Sequence, residues 1–264
     1  MMTGEELRRY LEYYRDLGVK EIYVVGGGQA PTPAAGPQTR QTSRQPPQPP
    51  TTDMPRTRPP QAEPFTVLPG LAPENDTLER IQADIGDCRR CRLSEARNKI
   101  VFGVGNPTAK LVFVGEGPGA DEDAQGLPFV GRAGQLLTQM VEGTAGKEGI
   151  PLKRADVYIC NVVKCRPPEN RTPLPDEMEI CGQFLFRQLS VIKPKAICAL
   201  GSTAAKALLG TKDGVMKLRG NWHKWQDIPV IVTYHPSYLL RPYNQNAKRE
   251  AWEDLKKVFH FVYD

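Results

Sequence analysis

From residue 76 onward the chain alternates strand-length apolar runs with longer helical stretches, and this alternation restricts the fold more than any other feature. The β-rich runs fall at 110–115, 156–163, 195–200 and 229–234, and the helical stretches at 131–142, 175–192, 202–209 and 248–262. Strand, helix, strand, helix in that order predicts a parallel sheet covered on both faces. The expected fold class is α/β: a three-layer α/β/α sandwich around a central, mostly parallel four-stranded sheet. Such sheets bind ligands at the carboxyl ends of their strands. That rule directs attention to 115–119, 161–166, 201–203 and 235–237.

Two segments precede this region. Residues 1–28 hold Leu7, Tyr10, Leu11, Tyr14 and Leu17 on one helical stripe ended by Gly18. The stripe predicts a short amphipathic helix, docked on the main body or reaching a protein partner. Residues 29–75 carry 13 of the 25 prolines among Gln, Thr, Arg and Ser, and are expected to form a disordered linker. Residues 76–264 are then the catalytic or binding domain.

Charge and hydropathy limit the possible partners. Residues 1–75 carry 8 Lys/Arg against 8 Asp/Glu, and residues 76–264 carry 27 against 22, so the excess of +5 lies entirely in the α/β part. This balance favours an anionic partner such as nucleic acid. The apolar runs are far shorter than a membrane span. No secretory leader is evident at the N-terminus, so a cytoplasmic location is expected, with use at a bacterial or archaeal nucleoid.

Cys88, Cys91, Cys165 and Cys181 are spaced C-x2-C-x73-C-x15-C. Without a mark of secretion these thiols read as metal ligands rather than disulfides, and spacing alone leaves zinc and iron–sulfur both open. Cys160 and Cys198 lie within strand runs and read as core.

The strand ends carry the chemistry. The first reads GEGPGADEDAQGLPFVGRAGQLL. Its glycines let the backbone approach a ligand, but it lacks the G-x-x-x-x-G-K-[ST] pattern, and Glu116, Asp121, Glu122 and Asp123 would repel phosphates. Phe129 is either a stacking platform or ordinary core. The second, NVVKCRPPENR, places the amide of Asn161, which can donate and accept at once, near Lys164, Arg166 and Arg171. The fourth, VTYHPSYLLRP, holds His235, then Ser237 for a phosphate, and an apolar tip with Leu239 beside Arg241. An exposed tip of this kind suits a wedge in a base stack; its bland alternative is the start of a buried helix.

Taken together, the four cysteines, GEGPG, PFVG, NVVKC and HPSYLL resemble the family 4, iron–sulfur branch of the uracil-DNA glycosylase superfamily, over about residues 76–262. The resemblance implies a 4Fe–4S cluster on Cys88, Cys91, Cys165 and Cys181. It also implies hydrolysis of the bond between uracil and deoxyribose in single- or double-stranded DNA, by a monomer. Phe129 would stack on the base, and Asn161 would donate to O4 and accept from N3–H. Glu122 would close the C5 side against thymine. His235 and N–H groups near Gly117 would stabilise negative charge on O2, and Glu116 is the candidate for positioning water. Lys164, Arg166, Ser237, Leu239 and Arg241 would face the DNA. A related branch captures the sugar through a histidine inserted after the first motif; no histidine lies between Gly119 and Phe129 here, which favours hydrolytic turnover. The rivals are a non-catalytic iron–sulfur protein that binds nucleic acid and a redox enzyme using the cluster. The set of Phe129, Asn161 and His235 speaks against the first, and the lack of a nucleotide, flavin or haem motif against the second.

Overall fold

The structure, a computed structural model, describes residues 73, 75–241 and 244–264. The expected N-terminal helix and nearly all of the expected linker lie outside the described residues. The chain builds α1 (Leu78–Ile85), β1 (Val104–Gly105), β2 (Leu111–Gly115), α2 (Ala120–Gln125), α3 (Arg132–Lys147), β3 (Tyr158–Asn161) and α4 (Pro175–Ile192). It continues through β4 (Ala196–Leu200), α5 (Ser202–Leu209), α6 (Val215–Leu218), β5 (Trp222–Trp225), β6 (Ile228–Thr233), α7 (Pro236–Leu239) and α8 (Gln245–Tyr263).

The strands form one sheet in the order β1-β3-β2-β4-β6-β5. Its four inner strands, β3, β2, β4 and β6, are parallel, while β1 and β5 add antiparallel edges. Among the described residues the expected sheet of four strands is therefore corrected to six. The two missed strands carry no continuous apolar signal. Val104–Gly105 is only 2 residues long and exposed, and Trp222–Trp225 interleaves its tryptophans with His223 and Lys224. Edge strands wet on one side have no need of such a run.

Alternation along the inner strands makes the layers. Val112, Val114, Cys160, Ile197, Ala199 and Val230 face one core with Ile81, Leu185 and Leu189 of α1 and α4. Leu111, Phe113, Ile159, Cys198, Leu200 and Ile231 face the other with α3 and α8. The three-layer sandwich thus follows from a period of two in fully buried strands, and Cys160 and Cys198 are core in it.

Helix α3 runs on to Lys147, past the expected end at residue 142. The helix passes through Gly143 and Gly146, where an added Cβ would meet open space. The strand β2 lies between β3 and β4, so the chain leaves it in one direction and later returns on its other side. This reversal opens a crevice at the carboxyl ends of the inner strands.

Candidate active site

A cleft of about 330 Å³ occupies that crevice. It is lined by Glu116, Gly117 and Gly119 after β2, Asn161 at the end of β3, Gly201 and Ser202 after β4, and His235 after β6. Phe129, Glu122 and Ser237 also line it. The structure therefore gathers the base-reading, stacking and charge-stabilising candidates from the ends of β2, β3 and β6, with Gly201 and Ser202 after β4 completing the wall.

Gly115 and Asn161 are register partners across β2 and β3. A Cβ at Gly115 would come within 2.4 Å of Asn161 Oδ1 and 2.6 Å of Phe129 Cζ, so glycine is what lets the amide and the ring meet there. Asn161 is 1% exposed, and its Oδ1 has no hydrogen-bond partner within the protein. A buried amide oxygen left without a partner costs free energy unless a ligand completes it.

Phe129 is buried with its backbone at φ 54°, in the left-handed region that a bulky residue rarely adopts. Two groups missed by sequence reasoning hold it there. Arg154 donates to the carbonyls of Pro128 (2.9 Å) and Phe129 (3.0 Å). Gly134 lies so close that a Cβ would reach 1.8 Å from Phe129 O. The Phe129 and His235 rings lie 5.6 Å apart at 36°.

Glu122 clasps the loop. Its Oε1 accepts from the N–H groups of Val130 (2.9 Å) and Gly131 (3.0 Å), and its Oε2 from Gly119 (3.1 Å). The carboxylate is thus engaged with backbone while the side chain still walls the cleft. Glu116 also lines the cleft, and its Oε2 accepts from the hydroxyl of buried Thr203 at the start of α5. Sequence marked Thr203 only by its place in the strand end at 201–203, without a role. Gly117 packs on Val163, whose Cγ2 would lie 2.7 Å from an added Cβ.

His235 caps α7. The ring Nδ1 lies 2.7 Å from Ser237 Oγ and accepts from the Ser237 N–H at 3.2 Å. Burial pushes the imidazole down to about 4, with the Glu122 carboxylate opposing in part, so the ring is neutral at pH 7.

Two residues expected on the DNA-facing surface are elsewhere. Lys164 is 1% exposed, with its ammonium donating to Asn161 O (2.9 Å) and Gln188 Oε1 (2.6 Å). Arg166 and Arg171 stand close by in sequence, but the main chain turns the Lys164 side chain inward. Leu239 is 1% exposed and packs in the core with α8, whereas Tyr238 is 39% exposed. The HPSYLL tip is thus a short helix whose inner face takes the leucine, and the bland reading of Leu239 holds. Ser237 and Arg241 are exposed as expected. Arg166 is half-buried and donates to Asn170 Oδ1 at 2.8 Å. Arg171 forms a two-pronged pair with Glu177, at 2.8 and 2.7 Å.

Cys88, Cys91, Cys165 and Cys181 all border one apolar cavity beside α1 and α4. All four are free thiols. The Lys164 N–H points at Cys181 Sγ (3.2 Å) and Arg97 at Cys165 Sγ (3.7 Å), the donors that thiolate ligands attract. Burial pushes the Cys165 thiol up to about 11 and the Cys181 thiol up to about 12, so only a strongly positive centre would deprotonate them. Among the described residues no group of three or more His, Cys, Asp or Glu converges on a point as an ion would require. The thiols border one cavity, and four sulfur donors are the set that either an iron–sulfur cluster or a single zinc takes.

Residues 102–256 match the family described as the uracil DNA glycosylase superfamily. A type-4 uracil-DNA glycosylase of Thermotoga maritima is 45% identical over 189 residues, 71% of this chain and 95% of that protein. A type-4 uracil-DNA glycosylase of Archaeoglobus fulgidus is 42% identical over 191 residues, 69% of this chain and 92% of that one. A type-5 uracil-DNA glycosylase of Pyrobaculum aerophilum is 36% identical over 105 residues, 39% of this chain and 44% of that protein. With a cleft at the switch point of a parallel sheet and these relatives, the chain belongs to the uracil-DNA glycosylase superfamily, and within it to the type-4 branch.

Proposed function

We propose that this chain is a monofunctional uracil-DNA glycosylase acting in base excision repair. It takes uracil out of the stack and hydrolyses its N-glycosidic bond, leaving free base and an abasic site. The observation that carries this reading is the orphaned Oδ1 of Asn161, buried in the cleft near the Phe129 ring. Uracil offers N3–H to donate to the orphaned Oδ1, and O4 to accept from Nδ2. Cytosine inverts both, and each mismatch leaves a polar atom unpaired at a cost of about 1–3 kcal/mol.

A base inside a duplex cannot enter a cleft of this size, so the nucleotide must flip. Phe129 stacks on the flipped base, and Glu122 walls the side where thymine would bring its methyl. As the bond lengthens, negative charge gathers on O2 of the base. Neutral His235, with its ring proton on Nε2, donates to that oxygen together with backbone N–H groups near Gly117. Donors fixed before reaction contribute several kcal/mol to such a step. Glu116, held by Thr203, orients the water that attacks the sugar cation. Arg166, Ser237 and Arg241 bind phosphates at the rim.

Cys88, Cys91, Cys165 and Cys181 would hold the 4Fe–4S cluster that the resemblance to the iron–sulfur branch implies, and their four sulfur donors fit it. When bound it supplies a four-thiolate cross-link between the 88–91 turn, the strand-end loop and α4. Cleavage itself is the work of the cleft residues. The cleft is complete within one chain, which supports a monomer, and no helix of the described residues is long and apolar enough to cross a membrane. A protein partner for residues 1–28 and a cytoplasmic, nucleoid-associated location complete the proposal.

The test is an oligonucleotide carrying a single uracil, opposite guanine, opposite adenine or single-stranded, treated with alkali after incubation. Strand breaks at the uracil position support the reading. No break above the level of an Asn161→Ala, His235→Ala double variant would leave a nucleic-acid-binding protein without catalysis.

A further inference from the structure

We infer that Lys164 is a positioning residue for base recognition, its buried ammonium fixing Asn161 from behind and joining it to the helix that carries Cys181. The inference rests on the glycosylase reading of the cleft.

On α4, Cys181 and Gln188 are 7 residues apart, two helical turns, and so lie on one face. Lys164 runs along that face. Its main-chain N–H donates to Cys181 Sγ (3.2 Å), and its ammonium reaches Gln188 Oε1 (2.6 Å). The same ammonium donates to the main-chain carbonyl of Asn161 (2.9 Å). Gln188 is itself oriented, because its amide nitrogen donates to Phe102 O (3.0 Å) and to the Tyr158 hydroxyl (3.2 Å). Tyr158 and Asn161 are the first and last residues of β3, so the network ties both ends of that strand to α4. The Val101 N–H closes it on the far side, donating to Lys164 O at 2.8 Å.

Packing does not require a charge at this place. A methionine of similar length would fill the space with no ammonium to desolvate. What methionine cannot do is grip the carbonyl of Asn161. The side chain of Asn161 has its oxygen free for a ligand, so that bond cannot also anchor it. The residue must be held through its main chain, and Lys164 does so. An amide displaced by a fraction of an ångström would still admit uracil but would pair with it poorly.

The experiment compares the full chain, loaded with its cluster, as wild type, Lys164→Met, Asn161→Ala and the double variant. Single-turnover cleavage of a uracil oligonucleotide, affinity for DNA bearing an abasic site, iron content and visible absorption are measured. Lys164→Met should slow cleavage about tenfold to a hundredfold. Iron content, absorption and abasic-site affinity should stay at wild-type levels. In the Asn161→Ala background the same change should alter the rate by less than about threefold, since its target is gone. An unchanged rate in Lys164→Met, or the same loss in both backgrounds, or abasic-site affinity falling in step with rate, would overturn the inference. Should Lys164→Met fail to fold, Gln188→Met leaves the lysine its bond to Asn161 and must show the same non-additivity at smaller size; additive losses would overturn the inference there too. A wild type that does not cleave would sink the glycosylase reading and this one with it. Additive losses in a wild type that does cleave would sink this one alone.

Discussion

The main-chain N–H of Ser237 donates to Nδ1 of His235 at 3.2 Å. An amide N–H can only donate, so Nδ1 must accept, and the proton of the neutral ring sits on Nε2. The Ser237 hydroxyl, 2.7 Å from the same nitrogen, reinforces that tautomer. Pro236 forces this geometry by starting α7 directly after the histidine, which brings the next N–H back onto the ring. One short turn therefore sets the tautomer, and burial the charge, of the group proposed to meet uracil O2.

A pH prediction follows from the burial of this ring. Its pKa is depressed to about 4, against roughly 6.5 for an ordinary histidine. Between these values the unfolded chain takes up a proton that the folded site refuses. The site therefore favours folding above about pH 6.5, and that contribution is lost as pH falls toward 4. Because the working form is neutral, kcat/KM for uracil excision should show no histidine limb near 6.5 and should decline only as pH approaches 4. A pH–rate profile with an acid limb centred near 6.5 that vanishes in His235→Gln would contradict this assignment.

Tyr238 takes the exposed place at the tip that sequence suggested for Leu239, and Leu239 is buried, an exchange of the wedge candidate. Leu239→Ala removes a fully buried side chain and should cost about 2–5 kcal/mol of stability. Tyr238→Ala removes an exposed ring stacked on Tyr234 (5.3 Å between centroids) and should leave stability within about 1 kcal/mol. Urea unfolding checks both. On duplex substrate Tyr238→Ala should lower kcat/KM more than on single strands, because only a duplex leaves a gap to be filled. Equal stability losses in the two variants would refute the exchange.

Cys165 bears on the metal centre. Cys165→Ser should lose iron and visible absorption, lower the thermal midpoint and weaken DNA binding, because the 164–171 loop loses its cross-link. The single-turnover rate of whatever protein stays folded, at saturating DNA, should fall by less than about tenfold, since Cys165 lies outside the cleft lining. A rate collapse with iron and folding intact would place the cluster in the chemistry.

Residues whose chemistry is local were readable in the sequence. Asn161 and His235 each stand where a run of β-formers stops, and the switch-point rule gathers such positions without any knowledge of contacts, while Phe129 was legible only as the aromatic of PFVG in the loop region after the first strand. The inner strands were equally plain, since burial on both faces demands a continuous apolar run. What stayed hidden depends on side-chain direction. Lys164 and Arg166 are one residue apart on either side of Cys165, yet one is buried against Gln188 and the other bonds Asn170 near the rim. Arg154 lies 25 residues from Phe129, and only tertiary approach reveals that it holds that residue in its left-handed backbone; Gly134 lies next to PFVG, but its close approach to Phe129 O shows only in the structure. The edge strand Trp222–Trp225 was missed because half-wet strands carry no run to read.

The most direct test of the central claim is the single-turnover rate of uracil release by His235→Ala, measured with its affinity for the same uracil oligonucleotide. Removing one preorganised donor to a developing anion should cost about 10²–10³-fold in rate. Affinity should hold within a few-fold, because phosphate contacts at the rim are untouched. A His235→Ala variant that releases uracil at the wild-type rate would contradict the account.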